Sequence, residues 1–316
     1  MKKLIFATRP SALARWQTQW IMDALQAFHP GLVCEEKVVV TQGDKILDKP
    51  LPEIGGKGLF TQELECDLLS NVAHCAVHSL KDLPVESVGN LVVGCIPARA
   101  EVRDALVSKN GYTLQTLPPA SVIGTSSLRR AAQVLAARPD VTTASLRGNV
   151  DTRLRKAFEG QYDAIILAGA GLLRLGLEGR VTQWLPLEVM LPAPGQGALA
   201  VQCCADDEET LTLLSALDHA PTRAAVTAER QFLLQLGGGC AVPVAAFAEQ
   251  MIREQRIEIS LTGLVSSPDG KAVIRVNGQG ADPLQLGLQL AQQALAEGAD
   301  ELLASATSHT LSTVLC

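Results

Sequence analysis

No apolar run in the 316 residues approaches the length that spans a bilayer, so a membrane-spanning helix is not expected. The start, Met1-Lys2-Lys3-Leu4-Ile5-Phe6-Ala7, turns polar at Thr8-Arg9-Pro10-Ser11, too soon for the apolar core of a secretory signal. None of the eight cysteines forms a C-x-x-C pair, which argues against a zinc ribbon or a thioredoxin-like centre. Without a signal, the thiols are expected to stay reduced and the chain to be cytoplasmic. A basic excess is missing too. Lys+Arg 27 against Asp+Glu 33 gives net −6, which disfavours a nonspecific nucleic-acid binder. There is no G-x-x-x-x-G-K-[ST] phosphate loop, internal repeat or low-complexity segment. Metal ligation is not expected: His74 and His78 flank Cys75 in what reads as a strand, where four steps part the imidazoles by roughly 13 Å.

What is present can bury sizeable cores. Hydrophobic residues are 47% and charged residues 19% of the chain, and its length favours two or three domains. Short apolar runs alternate with amphipathic ones, the mark of α/β architecture. Strands are expected at Leu4–Ala7, Val38–Val40, 73–78, 91–96, Val122–Gly124 and Ala164–Leu167. Ser11 is placed to cap a helix with the stripe Leu13, Trp16, Trp20, Ala24 and Phe28. Gln42–Leu59 reads as a long mobile loop, 60–70 as a helix, and Pro192–Gly197 as a hinge. Beyond residue 218 the pattern changes to strands at Glu258–Thr262 and Ala272–Val276, a Pro268-Asp269-Gly270 turn, and a final helix Asp282–Glu297.

The sharpest local signal is Gly124-Thr125-Ser126-Ser127-Leu128-Arg129-Arg130. A strand ends, three hydroxyls follow, and two arginines enter the first turn of a helix with the expected stripe Leu128, Ala131/Ala132 and Leu135. Cations are disfavoured there by about 0.3–1 kcal/mol each. Either an external anion joins them, or they pair with carboxylates on a solvated face. Similar placements recur at Arg9, at Arg147 and Arg153, and at Arg174 after the turn Gly169-Ala170-Gly171. Together they suggest one crevice beyond the strand carboxyl ends, suited to carboxylates as well as phosphates. Ser79, Lys81 and Asp82 end another strand, where taken alone they read as an ordinary turn with a solvated Lys–Asp pair; the arginine crevice opens a second reading. A carboxylate among cations stays ionised and can stabilise a developing cation or move a proton. Cys240, after Gly237-Gly238-Gly239 and before Pro243, is either a buried structural thiol or a presented one.

These segments resemble the porphobilinogen deaminase (hydroxymethylbilane synthase) family over nearly the whole chain. The match includes Ala7–Arg9, Gly43–Leu47, Gly55–Phe60, His78–Pro84, Val122–Arg130, Leu146–Asn149, Ala164–Leu167, Gly195–Ala198 and Gly238–Cys240 with Val242-Pro243. The resemblance implies two α/β domains like type II periplasmic binding proteins, 1–97 with 196–217 and 98–195, and a smaller α+β domain, 218–316. It implies a dipyrromethane cofactor on Cys240, joined by a thioether. Onto it four porphobilinogen units are added head to tail with loss of ammonia, before hydrolysis releases hydroxymethylbilane. By the same matching Asp82 is catalytic. Ser79, Lys81, Thr125, Ser127, Arg129, Arg130 and Gln196 hold the cofactor. Arg9, Ser11, Arg147, Arg153 and Arg174 face porphobilinogen or the growing pyrrole chain. Neither nucleic acid, membrane nor an obligate protein partner is implied, and the family is typically monomeric. Gly237 stands where the family usually has glutamate, Glu53 and Gln62 where relatives have lysines, and Ala12 for a frequent proline. Lys57 is left as the lid's main cation. The competing classes are a solute-binding module for a polycarboxylate and an effector domain of a transcription factor. Cys240 and the segment after residue 218 argue against the first, and the lack of a DNA-binding segment against the second.

Overall fold

A computed structural model describes residues 3–45, 58–237, 242–253 and 256–314. Cys240, Lys57 and Glu53 lie outside the described residues.

Thirteen strands among the described residues form three sheets. In chain order they are β1 (Lys3–Thr8), β2 (Val33–Val38), β3 (Cys75–Ser79), β4 (Leu91–Cys95), β5 (Asp104–Val107), β6 (Val122–Gly124), β7 (Thr142–Ala144), β8 (Ala164–Ala168), β9 (Gln183–Trp184), β10 (Leu199–Cys204), β11 (Val244–Arg253), β12 (Arg256–Ser266) and β13 (Val273–Gly280). The first sheet has the order β2-β1-β3-β10-β4 and the second β7-β6-β8-β5-β9. In each, three parallel strands are followed by an antiparallel one, β10 or β5. The two sheets thus repeat one plan, the α/β arrangement expected. The chain returns to the first sheet only at β10. The third sheet, β11-β12-β13, is an antiparallel meander packed against the helices Ala220–Gln235 and Pro283–Ala296.

Parallel strands put their carboxyl ends on one edge. Arg9 follows β1, Ser79 closes β3, Thr125 follows β6, and Gly169 follows β8. That shared edge makes scattered junction residues neighbours.

Several sequence expectations shift. The second strand is Val33–Val38, and Val38–Val40 is its exit: Val39 N bonds Thr8 O at the end of the ladder, and Val38 and Val40 are exposed. The first helix, Ala12–Phe28, buries Gln17, Thr18, Ile21, Met22 and Leu25, whereas Trp16, Trp20 and Phe28 of the expected stripe are exposed. Both faces carry apolar residues at helical spacing. The inner one is chosen because its polar members find partners: Thr18 donates to the Thr8 hydroxyl at 2.8 Å and Gln17 to Ser79 Oγ at 2.9 Å. The loop from Gln42 opens with a helical turn, Gln42–Lys45. Gly169–Arg174 is a short helix, not a turn. Pro283–Ala296 is followed by another helix, Ala299–Val314, so it is not the last. The strands of the third sheet run longer than the alternation signalled, to Ser266 and Gly280.

Candidate functional site

The facing edges of the first two sheets enclose a cavity of about 630 Å³. Seven cationic side chains line it: Arg9, Lys81, Arg130, Arg147, Arg153, Lys156 and Arg174. Among the described residues only three carboxylates, Asp44, Asp82 and Asp151, share the wall. The imbalance makes this a site for a ligand with several negative charges.

Its deepest layer is built on Asp104, the first residue of β5. The carboxylate is fully buried. Arg130 donates to its Oδ1 through Nε at 3.1 Å and Nη2 at 2.7 Å, and Arg129 Nη1 lies 2.8 Å from Oδ2. Gln196 Nε2 donates to the same Oδ1 at 2.9 Å. Burial alone would push this carboxyl up, but the two guanidiniums overrule it and hold the pKa well below the usual range. Of the helix stripe expected at Leu128, Ala131/Ala132 and Leu135, Ala132 is fully buried while Leu128, Ala131 and Leu135 are half-buried, so the inner face is rotated from the expected one. The buried face of Leu128–Ala137 carries Arg129, Arg130, Ala132, Gln133 and Val134. Two arginines tolerate this burial because one carboxylate and the carbonyls of Leu191 and Ile166 receive their protons. Their partner is thus a carboxylate, though a buried one and not on a solvated face.

One carboxylate does not neutralise two guanidiniums, and a third cation adjoins them. Lys81 Nζ reaches Gln196 Oε1 at 3.4 Å. Burial lowers its pKa to about 8, opposed by Asp82 and assisted by Arg130. Asp82, the last residue of the 3-10 turn Leu80–Asp82, is exposed to the cavity. Ser79, one turn earlier, accepts from Gln17.

Around the mouth, Arg9 is paired with Asp44 and lies 4.2 Å from the Phe60 ring centroid. Burial tends to raise Asp44, but its bonds to Arg9 and Thr41 hold it below the ordinary carboxylate value. Arg147 presents a buried Nη1 with no hydrogen-bond partner among the described residues. Arg153 spends one bond on Gly148 O at 2.7 Å, and Arg174 one on Gly197 O at 2.8 Å. Burial lowers both to about 10, and neither faces a carboxylate in an ion pair among the described residues. Such donors await acceptors from outside.

Of the residues singled out in the sequence, Arg9, Ser11, Ser79, Lys81, Asp82, Arg130, Arg147, Arg153 and Arg174 line the cavity. Arg129 and Gln196 stand behind it on Asp104. Thr125 and Ser127 do not line it: Thr125 Oγ1 accepts from Ser127 N, and Ser127 caps the helix. Ser11 lines the wall and caps Ala12–Phe28 through Ala14 N. Sequence reasoning gave no role to Asp104, Lys156 or Asp44, and Ser126, one of the three hydroxyls after β6, also lines the cavity. An acidic residue opening the apolar strand Asp-Ala-Leu-Val was the available signal for Asp104. Lys156 lies one turn beyond Arg153 on Val150–Phe158 and could have been read from that spacing.

A family model described as porphobilinogen deaminase, dipyromethane cofactor binding domain, matches residues 4–212, and the porphobilinogen deaminase C-terminal domain model matches residues 223–296. A curated porphobilinogen deaminase of Brevibacillus brevis strain 47 is 54% identical over 304 residues, 96% of this chain and 97% of the relative. Among solved structures, the VFT2 domain of Bordetella pertussis BvgS (a double mutant) aligns at 16% identity and TM-score 0.40, covering 67% of this chain and 84% of that one. A reduced form of OxyR from N. meningitidis aligns at 11% and 0.41, covering 69% and 94%.

Proposed function

The chain belongs to the porphobilinogen deaminase family, and we propose that the cation-rich cavity around Asp82 is where it carries out the family's reaction. It is a transferase that joins four porphobilinogen molecules head to tail with loss of ammonia and releases hydroxymethylbilane. The residues present suit the attached dipyrromethane. Each pyrrole carries an acetate and a propionate, and seven cations against three carboxylates leave acceptor-seeking donors on the wall. When bound through Cys240, the dipyrromethane supplies the pyrrole carbon onto which the chain is built.

In this reading Lys81, Arg129, Arg130 and Ser79 hold the primer's carboxylates at the inner layer, with Gln196 bracing Lys81 and Asp104 behind them. Thr125 and Ser127 shape the strand-to-helix turn there. Arg9, Ser11, Arg147, Arg153 and Arg174 take the carboxylates of incoming substrate and product chain. Asp82 faces the cavity without a guanidinium of its own in the described structure, so its oxygens are available to pyrrole N–H groups. As ammonia leaves the substrate, positive charge spreads onto the pyrrole nitrogen, and a fixed carboxylate beside it lowers the barrier. The cations along the wall give substrate carboxylates partners of their own, away from Asp82. The domain limits 1–97 with 196–217, 98–195 and 218–316 belong to this proposal, as does a cytoplasmic location. Cys75, Cys95 and Cys203 are buried free thiols, and no described helix is long and apolar enough to cross a membrane.

The observation that carries this reading is Asp82, a carboxylate that closes the turn after β3 and is exposed to the cavity within the cation excess. Asp82→Asn keeps the shape but removes the charge and turns one acceptor oxygen into a donor amide. Its kcat should fall by about 100-fold or more, with KM within a few-fold. Wild-type kcat in Asp82→Asn would remove Asp82 from the chemistry.

A further inference from the structure

The helix Leu128–Ala137, with Arg129 and Arg130 in its first turn, packs on the second sheet, yet the third unit reaches it at two points, one direct and one through Leu191. The first is the turn between β12 and β13. A Cβ on Gly270 would collide with Ala132 O and lie 2.6 Å from Ala136 N. Those two atoms are the acceptor and donor of one helical hydrogen bond, so the turn rests on the helix backbone with no side chain between. The turn is stiff. Gly270 N bonds Ser267 O at 3.0 Å and Ser267 N bonds Ala272 O at 2.8 Å. Asp269 Oδ1 accepts from Ser267 Oγ at 2.6 Å and Lys271 N at 3.2 Å.

The second point is Leu191. Gln133 Nε2 donates to Leu191 O at 3.0 Å, and Leu191 N donates to Gln133 Oε1 at 2.7 Å. Arg129 Nη1 donates to the same carbonyl at 2.7 Å. The Leu191 side chain packs with Ala245 and Leu264 of the third sheet, and Ala246 N bonds Pro192 O at 3.1 Å.

We propose that Gly270 and Gln133 form a two-point clasp through which the cysteine-bearing unit sets the position of Arg129 and Arg130. Both are positioning residues. The clasp rests on the reading of Cys240 as the tether. It keeps the tether and the guanidiniums that receive the primer's carboxylates at one separation while pyrroles are added. Small displacements matter at such a site, because misplacing a binding group by about 1 Å can cost about 100-fold in rate.

The test pairs Gly270→Ala with Gly111→Ala. Both glycines have φ of +72°, but a Cβ on Gly111 meets nothing within 4 Å, so that variant carries the backbone strain alone. Intact-mass measurement of the purified chains reads the loaded fraction, and steady-state kinetics on loaded protein read kcat and KM. Gly111→Ala should match wild type in loading and kcat. Gly270→Ala should load to about a tenth of wild type, with kcat per loaded molecule down about tenfold and KM for porphobilinogen within about twofold. Gln133→Leu, which strains no backbone, should lower loading about threefold and decides alone if Gly270→Ala does not fold. Wild-type loading and kcat in the folded variants overturn the clasp. An unmodified wild-type chain would overturn the tether reading and the clasp with it.

Discussion

Two fully buried carboxylates, Glu229 and Asp104, use similar partners to opposite ends. Glu229 faces one guanidinium, Arg99, at 2.6 Å and 3.0 Å, and accepts from Gly195 N at 2.6 Å and Ala248 N at 2.7 Å. One negative charge meets one positive charge, and the backbone completes the shell. This pair closes, joining the helix Ala220–Gln235 to β11 and to the Gly195 turn. Asp104 faces two guanidiniums with Lys81 close by. The charge left over points toward the cavity. A balanced buried pair holds structure together, while an unbalanced one specifies a ligand.

Breaking each carboxylate tests that contrast. Glu229→Gln and Asp104→Asn should both cost about 3–5 kcal/mol in urea unfolding, since each strands buried cations. Their response to citrate should separate them. Citrate should restore much of the stability of Asp104→Asn, whose surplus charge reaches the cavity, and little of that of Glu229→Gln. Equal recovery, or none in either, would erase the distinction.

A smaller effect sharpens the same comparison through pH. Burial depresses Lys81 to about 8 from its ordinary 10.5. Below about 8 the folded chain carries a desolvated ammonium and pays for it. From about pH 8 to about 10.5 the unfolded chain binds more protons, so this group's penalty is relieved and its contribution to stability rises. Citrate affinity should fall over the pH range just above 8 as Lys81 loses its charge, and Lys81→Met should flatten that dependence. An unchanged profile in Lys81→Met would place the titrating group elsewhere.

The junction arginines could be read from the sequence because their positions are local facts: a cation just past a strand, at the start of a helix. The parallel strands then did the gathering. Asp104 stood out only as an acid opening an apolar strand, and its role was not legible, since its guanidinium partners stand 25 and 26 positions along the chain and Gln196 92, and only the fold brings them together. The inner face of Ala12–Phe28 was misread because Trp16 and Trp20 share helical spacing with Ile21 and Leu25. Hydrogen bonds from Gln17 and Thr18 to other strands settled which face went inside. Gly270 reads as an ordinary turn glycine, and its seat on a helix more than a hundred residues earlier is purely tertiary.

The cation-lined cavity serves a primer fixed to Cys240 in this proposal. Intact-mass and peptide-mapping measurements on the purified, active wild-type chain test it most directly, with Cys240→Ala beside it. A dipyrromethane adduct is expected on the Cys240 peptide of the wild type, and neither adduct nor turnover in Cys240→Ala. An active wild-type chain of unmodified mass, or an active Cys240→Ala, would contradict it.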